Sequence, residues 1–303
     1  MYDLMIIGGG PAGMTAAVYT ARKKLNALLL SKDVGGQVNW TLGIENYMGY
    51  QIIEGPQLIK KFEEQVKQFP IDIKIGENVS SLSQISGGFE AKTENGEIYQ
   101  ARAAIITTGK RPRPLNVPGE GKLRGRGVTY CATCDGPLFA DMKVAVIGGG
   151  NSALEAVDDM VKIAAHVYLV SLTPLTGDQI LFDRVKGASN LTMFLEHEVV
   201  AITGEKLVDG IKIRDLRTKQ ERELQVGGIF IEIGLIPSSD LVKDVAALNR
   251  IGEIEVNCNN ETNVAGLFAA GDVTNVPEKQ IVVAAGEGAK AALQAHRYLQ
   301  RLS

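Results

Sequence analysis

Short apolar runs bounded by glycines alternate with segments of helical spacing at the start of the chain. Leu4 to Ile7 is a continuous apolar run, as in a buried parallel strand. Glycines follow it and open a helical pattern from Ala12 to Arg22, and Ala27 to Leu30 predicts a second buried strand. This order predicts a strand–turn–helix–strand unit of an α/β fold.

The same unit recurs 140 positions later. Each turn carries the glycines that let a helix pack against a strand and let backbone N–H groups approach a pyrophosphate. Two intact signatures predict two nucleotide sites rather than one. The counterparts are Gly8 and Gly148, Gly10 and Gly150, Gly13 and Ala153, and Ser31 and Ser171.

The rest of the pattern predicts smaller elements around these two units. Leu58 to Phe69 has helical spacing, and residues 71 to 106 read as short strands that end in a buried strand. Val199 to Ile233 alternates like a small antiparallel sheet, and Ala289 to Leu302 predicts a final helix with one apolar face.

Two proline-containing stretches, Lys110–Pro114 and Leu235–Ser239, break regular structure and mark domain boundaries. They predict one domain inserted into another. We expect a discontinuous nucleotide-binding domain at 1–113 and 240–303, and a second, inserted nucleotide-binding domain with the cysteine pair at 114–239. The predicted fold class is α/β, with two Rossmann-like nucleotide-binding domains and small antiparallel sheets.

Composition narrows the class of protein. The net charge of -3 over 303 residues lacks the excess of basic residues typical of nucleic-acid-binding proteins. No run approaches the roughly 18 to 20 apolar residues that cross a membrane, and the chain starts in a strand without a signal-peptide pattern. We therefore expect a cytoplasmic enzyme.

Cysteine usage supplies the candidate chemistry. Cys131 and Cys134 form a CxxC pair just before the second glycine turn, which suggests electron transfer between a cofactor and a disulfide. A zinc half-site or a purely structural thiol pair is the alternative. The further ligands that zinc needs are not at ligand spacing, so no metal is expected. Cys258 is interpreted as an incidental free thiol.

The chain resembles the low-molecular-weight thioredoxin reductase family of flavoproteins along essentially its whole length. Within it, the stretches 252–254, 261–264 and 276–281 look most like the flavoprotein subunit of alkyl hydroperoxide reductase, whose amino-terminal thioredoxin-like module we expect to be missing. The matching motifs are Ile7–Gly13, Gly35–Gln37, Thr107–Gly109, Gly125–Val128, Cys131–Gly136, Gly148–Ala153 and Ala270–Asp272.

The resemblance implies FAD on the first unit and the carboxyl-terminal segment, and a dinucleotide on the second. Asp272 would bind the ribityl chain, unless it only caps a turn, and Gln280 would lie beside the flavin ring, unless it is only a surface residue. The implied FAD residues are Gly8, Gly10, Pro11, Ala12, Gly13, Gly36, Gln37, Asn46, Thr108, Gly109, Gly271, Asp272, Lys279, Gln280 and Ile281. The implied dinucleotide residues are Gly148, Gly150, Asn151 and Ser152.

The resemblance also assigns roles around the cysteines. Cys134 would be the flavin-side sulfur, and Cys131 would attack the partner's disulfide. Asp135 would exchange a proton with the thiols, or would only cap the following turn. Arg124 and Arg126 would steer an acidic partner or lower a thiol pKa, or would be solvated charge.

The sequence is compatible with more than one electron donor. The family's NADPH members place a basic cluster after the second unit's last strand, yet no basic residue occurs here before Arg184. An Asp or Glu for the ribose of NAD is replaced by Ser171. NADH is favoured over NADPH, and ferredoxin, which reduces some family members, is a third candidate. The second glycine turn itself is intact, which favours a dinucleotide.

The predicted function is FAD-dependent reduction of thioredoxin or a thioredoxin-like protein. A peroxide-forming NADH oxidase and a non-enzymatic flavin sensor are the alternatives. The resemblance further implies a homodimer whose two domains swing relative to each other. The hinges would lie at Pro112–Pro118 and Gly234–Ser239.

Overall fold

The computed structural model describes residues 1–41 and 43–302, so Leu42 and Ser303 lie outside the described residues. The strands are β1 (Tyr2–Ile7), β2 (Ala27–Ser31), β3 (Asp72–Ile75), β4 (Val79–Ile85), β5 (Gly88–Thr93), β6 (Ile98–Ile106), β7 (Lys110–Pro112), β8 (Val128–Thr129), β9 (Lys143–Ile147), β10 (His166–Ser171), β11 (Leu191–Leu195), β12 (His197–Thr203), β13 (Gly210–Asp215), β14 (Glu221–Gln225), β15 (Gly228–Ile231), β16 (Leu235–Pro237) and β17 (Leu267–Ala269). The helices are α1 (Pro11–Arg22), α2 (Gly55–Val66), α3 (Glu120–Leu123), α4 (Ala132–Asp135), α5 (Asn151–Met160), α6 (Gln179–Val185) and α7 (Ile281–Arg301).

The first sheet has the order β3-β2-β1-β6, with parallel neighbours. β17 runs parallel to the carboxyl half of β6, while the hairpin β4–β5 continues the sheet in antiparallel fashion from its other half. Residues Leu4 to Ile7 of β1 are all buried, because side chains from both faces of the sheet contact them. The predicted strand–turn–helix–strand unit is confirmed here.

The second sheet, β11-β10-β9-β15-β8, is parallel throughout. β12, β13 and β14 form the small antiparallel sheet predicted for Val199 to Ile233. The prediction was wrong for the last strand of that stretch, since β15 lies parallel to β9 in the second sheet. All four residues of β15 are buried, which is typical of a strand covered on both faces rather than of an alternating one.

The final helix begins eight residues earlier than predicted, at Ile281. The added stretch contains Gly286 and Gly288, a residue type that disfavours a helix interior. A Cβ on Gly288 would lie 2.0 Å from the Ala12 carbonyl oxygen. Glycine is therefore required there because α7 packs directly against the backbone of α1.

The two connections between the sheets lie side by side. Lys110–Pro114 was predicted to be irregular, but β7 pairs with β16 in an antiparallel ribbon. The Arg113 N–H donates to the Gly234 carbonyl oxygen at 3.0 Å just beyond it. The chain thus passes to the second sheet and returns through one narrow ribbon, while the domain boundaries stay a prediction.

Candidate active site

The first glycine turn leaves room for a ligand at the carboxyl end of β1. Gly8 has a φ of +118°, a conformation that favours glycine. A Cβ on Gly13 would lie 1.8 Å from the Gly8 carbonyl oxygen, so α1 can approach the strand only without that atom. A Cβ on Gly10 would meet nothing within 4 Å. The Gly9 N–H donates to Ser31 Oγ at 2.7 Å, which holds the turn against β2.

A cavity of about 800 Å³ opens from this turn. Its size lies at the upper end of the range for small-molecule sites, which is roughly 300 to 1,000 Å³. The structure brings every predicted FAD residue to its wall except Gly13, which lies behind the turn. The lining residues from that prediction are Gly8, Gly10, Pro11, Ala12, Gly36, Gln37, Asn46, Thr108, Gly109, Gly271, Asp272, Lys279, Gln280 and Ile281.

Two lysines of the cavity wall, Lys110 and Lys279, contact Glu253, a residue whose role was not predicted from the sequence. Glu253 Oε1 lies 2.5 Å from Lys110 Nζ and 3.2 Å from Lys279 Nζ, and the first pair is buried. Burial raises the pKa of the Asp272 carboxyl, and the charges of Lys279 and Lys110 oppose that rise. Asn46 Nδ2 donates to Gln280 Oε1 at 3.1 Å. The open glycine turn, the cavity volume and the partly buried Asp272 carboxyl facing it fit an FAD molecule.

The cysteine pair faces this same cavity. Cys131 and Cys134 are joined as a disulfide with their Cα atoms 5.3 Å apart. The Cys134 N–H donates to Cys131 Sγ at 3.2 Å as the chain enters α4. Both cysteines line the cavity of the first glycine turn, although they are close in sequence to the second.

Asp135 lies beside the disulfide and is 8% exposed. Burial raises its pKa to about 6, against the lowering effect of a hydrogen bond that Thr129 Oγ donates to Oδ2. Its other oxygen, Oδ1, has no partner among the described residues. The carboxyl can therefore exchange a proton near neutral pH. Thr129 was not among the residues predicted from the sequence, although it lies only two positions before Cys131.

An aromatic stack joins the two halves of the molecule at the edge of the cavity. The Arg124 guanidinium lies 4.7 Å from the ring centroid of Trp40 and 5.1 Å from that of Tyr130. The Tyr130 hydroxyl donates to Glu120 Oε1 at 2.8 Å. Trp40 belongs to a 3-10 turn after β2, whereas Arg124 and Tyr130 flank β8. This cation–π contact connects the first unit to the disulfide segment.

The second glycine turn lies outside this cavity. The predicted residues Gly148, Gly150, Asn151 and Ser152 are not among its lining residues. The segment after β10 folds over the turn: the Thr176 N–H donates to the Gly149 carbonyl oxygen at 2.7 Å. Asn151 and Asp178 exchange two hydrogen bonds of 2.9 and 2.7 Å.

Ser171 is 2% exposed at the end of β10. A Cβ on Gly149 would lie 2.4 Å from its Oγ, so the hydroxyl packs against the turn, as Ser31 does in the first unit.

Within residues 1–41 and 43–302, no cluster of three or more potential metal ligands is found. No helix in the same part of the chain is long and apolar enough to cross a membrane.

Comparison with known proteins identifies the relatives of this arrangement. The family model described as pyridine nucleotide-disulphide oxidoreductase matches residues 2–288. The F subunit of alkyl hydroperoxide reductase from Staphylococcus aureus is 42% identical over 301 residues. The match covers 99% of this chain and 59% of that protein, so the chain spans well under two thirds of the relative's length.

Solved structures extend the likeness to the whole fold. Thioredoxin reductase from Streptococcus pyogenes superposes with a TM-score of 0.94 at 36% identity, covering 99% of both chains. Thioredoxin reductase from Lactococcus lactis, described as being in the FR conformation, gives a TM-score of 0.69 at 34% identity. That match covers 99% of this chain and 100% of the other. Two nucleotide-binding units of Rossmann type, as predicted, are therefore confirmed.

Proposed function

This chain belongs to the pyridine nucleotide-disulphide oxidoreductase family as a flavin-dependent disulfide oxidoreductase, and we propose that it reduces thioredoxin or a thioredoxin-like protein. Two electrons would pass from a donor through FAD to the Cys131–Cys134 disulfide and on to a disulfide of the partner. The observation that carries this proposal is the shared cavity: both cysteines and Asp135 line the space that the first glycine turn opens.

The cavity-lining residues would hold FAD, which would supply a two-electron carrier between the donor and the disulfide. Cleavage of the S–S bond then needs two protons to give two thiols. Asp135 supplies one of them, because its buried carboxyl keeps a proton to about pH 6. Cys134 takes the flavin-side role, and Cys131 attacks the partner's disulfide as a thiolate.

Transfer to a protein requires the cysteines to leave the cavity. We propose that the unit carrying them turns about the β7–β16 ribbon, which holds both chain connections. The lower TM-score with the Lactococcus lactis enzyme, at nearly the same identity as the Streptococcus pyogenes enzyme, supports a second arrangement of such units. We further propose a homodimer and a cytoplasmic setting, where partner thiols are kept reduced.

For the donor we propose NADH before NADPH, with ferredoxin as the alternative. The strand end that would read the ribose carries the buried Ser171 in place of a carboxylate or a basic cluster. Ferredoxin near -400 mV would deliver electrons downhill to thioredoxin near -270 mV, by about 6 kcal/mol for two electrons.

The test uses the FAD-loaded protein and a Cys134→Ser variant. We expect the variant to lose reduction of a thioredoxin disulfide by on the order of 10³-fold or more, while a donor still bleaches its flavin. Cys258→Ser, which removes an exposed free thiol, is the matched control and should leave the rate unchanged. A Cys134→Ser enzyme that retains full turnover with oxygen, beside a parent that does not reduce thioredoxin, would identify an oxidase instead.

A parallel experiment identifies the donor. NADH, NADPH and reduced ferredoxin are mixed separately with the protein without oxygen, and the bleaching rate of the flavin is recorded. NADH should be fastest. Rapid bleaching by NADPH alone would contradict the proposed order.

A further inference from the structure

Glu232 lies between the disulfide and the second glycine turn, and the reaction above does not use it. It follows β15 directly, and its N–H donates to the Ile147 carbonyl oxygen at 2.8 Å. A Cβ on Gly148 would lie 2.3 Å from the Glu232 carbonyl oxygen. The main chain of Glu232 is therefore fixed against the second glycine turn.

The side chain of Glu232 points from that turn to the cysteine pair. Oε1 accepts a hydrogen bond of 3.2 Å from the Ala132 N–H. Ala132 is the residue after Cys131, whose Sγ accepts the Cys134 N–H at the same length, 3.2 Å. Two neighbouring backbone donors of the CxxC segment are thus divided between the Glu232 carboxyl and the Cys131 sulfur.

The surroundings of Glu232 contain little that compensates its charge. Burial raises the pKa of its carboxyl to about 7, the Ala132 N–H lowers it, and the negative charge of Glu155 on α5 raises it. On the α4 side the titratable groups are Cys131, Cys134 and Asp135, and the Asp135 carboxyl is already bonded to Thr129. None of the ion pairs found in residues 1–41 and 43–302 includes Glu232.

We propose that Glu232 is a positioning residue that decides whether reduced Cys131 carries its proton: ionised Glu232 keeps Cys131 as a neutral thiol, and neutral Glu232 permits the thiolate. The inference deepens the proposed function, from which it takes the electron source. Two electrons from the reduced flavin break the S–S bond, and two protons are taken up. One goes to Cys134, and the other resides on either Cys131 or Glu232.

The physical reason is repulsion between two negative groups in a partly buried place. A carboxylate that accepts a hydrogen bond from the Ala132 N–H raises the free energy of a thiolate on the neighbouring Cys131, because nearby like charges repel one another. Moving the proton from Cys131 to Glu232 keeps a single negative charge on the pair, whereas losing it to solvent would leave two. The nucleophile would then form by internal proton transfer.

The test measures the thiol directly and needs no donor. In a Cys134→Ser background, the rate of Cys131 alkylation by iodoacetamide is followed by mass spectrometry from about pH 5 to 9. Glu232→Gln keeps an acceptor for the Ala132 N–H and removes the charge. We expect alkylation near pH 7 to become roughly three- to tenfold faster, and the pH profile to become narrower than that of the parent.

Glu155→Gln is the matched control, because it removes the neighbouring charge and leaves the Ala132 hydrogen bond in place. It should change the rate less than Glu232→Gln does. If the Glu232→Gln protein does not fold, an Asp135→Asn variant decides, because it removes the other carboxyl beside the cysteines: coupling to Glu232 predicts a broadened titration there, and an uncoupled thiol predicts a simple one. Superimposable profiles for parent and Glu232→Gln, or a simple titration in Asp135→Asn, would overturn the proposal.

This result is separable from the proposed function. A shifted alkylation profile in a protein that fails to reduce thioredoxin would leave Glu232 in its role and remove the proposed substrate. An unshifted profile in an active thioredoxin reductase would do the reverse.

Discussion

The two glycine turns share one sequence plan but have different surroundings. Each follows a buried parallel strand, and in each a serine 22 positions after the middle glycine packs against that glycine, Ser31 in the first unit and Ser171 in the second. The first turn opens into a cavity of about 800 Å³. The second is covered by the segment that ends in Asp178.

This difference teaches that a glycine signature specifies a strand–helix junction before it specifies a ligand. The ligand site depends on what the following segment does. After β2 the chain continues into a 3-10 turn on the cavity wall, whereas after β10 it folds back onto the turn. The disulfide, which is nearer to the second turn in sequence, faces the first turn's cavity.

The largest expected effect comes from giving the first turn the residue of the second. Gly13→Ala should abolish FAD retention and destabilise the protein by roughly 1 to 3 kcal/mol or more, because the new Cβ would overlap the Gly8 carbonyl oxygen, 1.8 Å away. Flavin absorbance after gel filtration and urea unfolding measure the two effects. The reciprocal change, Ala153→Gly, should keep the flavin and cost about 1 kcal/mol as a glycine in a helix. Retained flavin in Gly13→Ala would show that the two turns tolerate the same residue.

A smaller effect is expected at the disulfide. Asp135→Asn should slow disulfide reduction by on the order of 10² to 10⁴-fold, the usual contribution of a general acid or base. The folded-state pKa is raised to about 6, so the proton donor is complete below that pH and is lost as pH rises through it. Stopped-flow reduction of the disulfide should therefore slow above about pH 6 in the parent. In Asp135→Asn this decline should vanish, and a parallel decline in both proteins would contradict the assignment.

The smallest effect distinguishes the donors at the second turn. A Cβ on Gly150 would meet only Thr176 Oγ, at 4.0 Å, so Gly150→Ala should fold normally. With a nicotinamide donor it should raise KM by roughly 10-fold, through lost close approach of the backbone to the pyrophosphate. With ferredoxin KM should not change. Steady-state kinetics with each donor decides between them, and Gly10→Ala in the first turn is the comparison for lost flavin.

The sequence revealed those parts of the fold that repeat a local pattern. The 140-residue offset located both parallel units, because buried strands and glycine turns leave signals within a few residues. The predictions for β15 and for the start of α7 were wrong because contacts between residues distant in sequence determine both elements. β15 pairs with β9, and Gly288 must be a glycine because the backbone of Ala12 packs directly against it.

The candidate site divides in the same way. Cys131, Cys134 and Asp135 were predicted from a motif, whereas Glu253 became relevant only when folding brought it to Lys110. Glu232 carried a signal that could have been used. An acidic residue directly after a buried parallel strand lies at the edge where α/β sheets bind ligands.

The contact between Trp40 and Arg124 gives the molecule a built-in optical reporter. Trp40 is the single tryptophan of the chain, and the guanidinium lies 4.7 Å from its ring centroid where the two halves meet. Any turning of the cysteine-bearing unit about the ribbon must separate them. The emission of one natural indole would therefore register such a rotation, and its time course could be followed in the native chain without an attached dye.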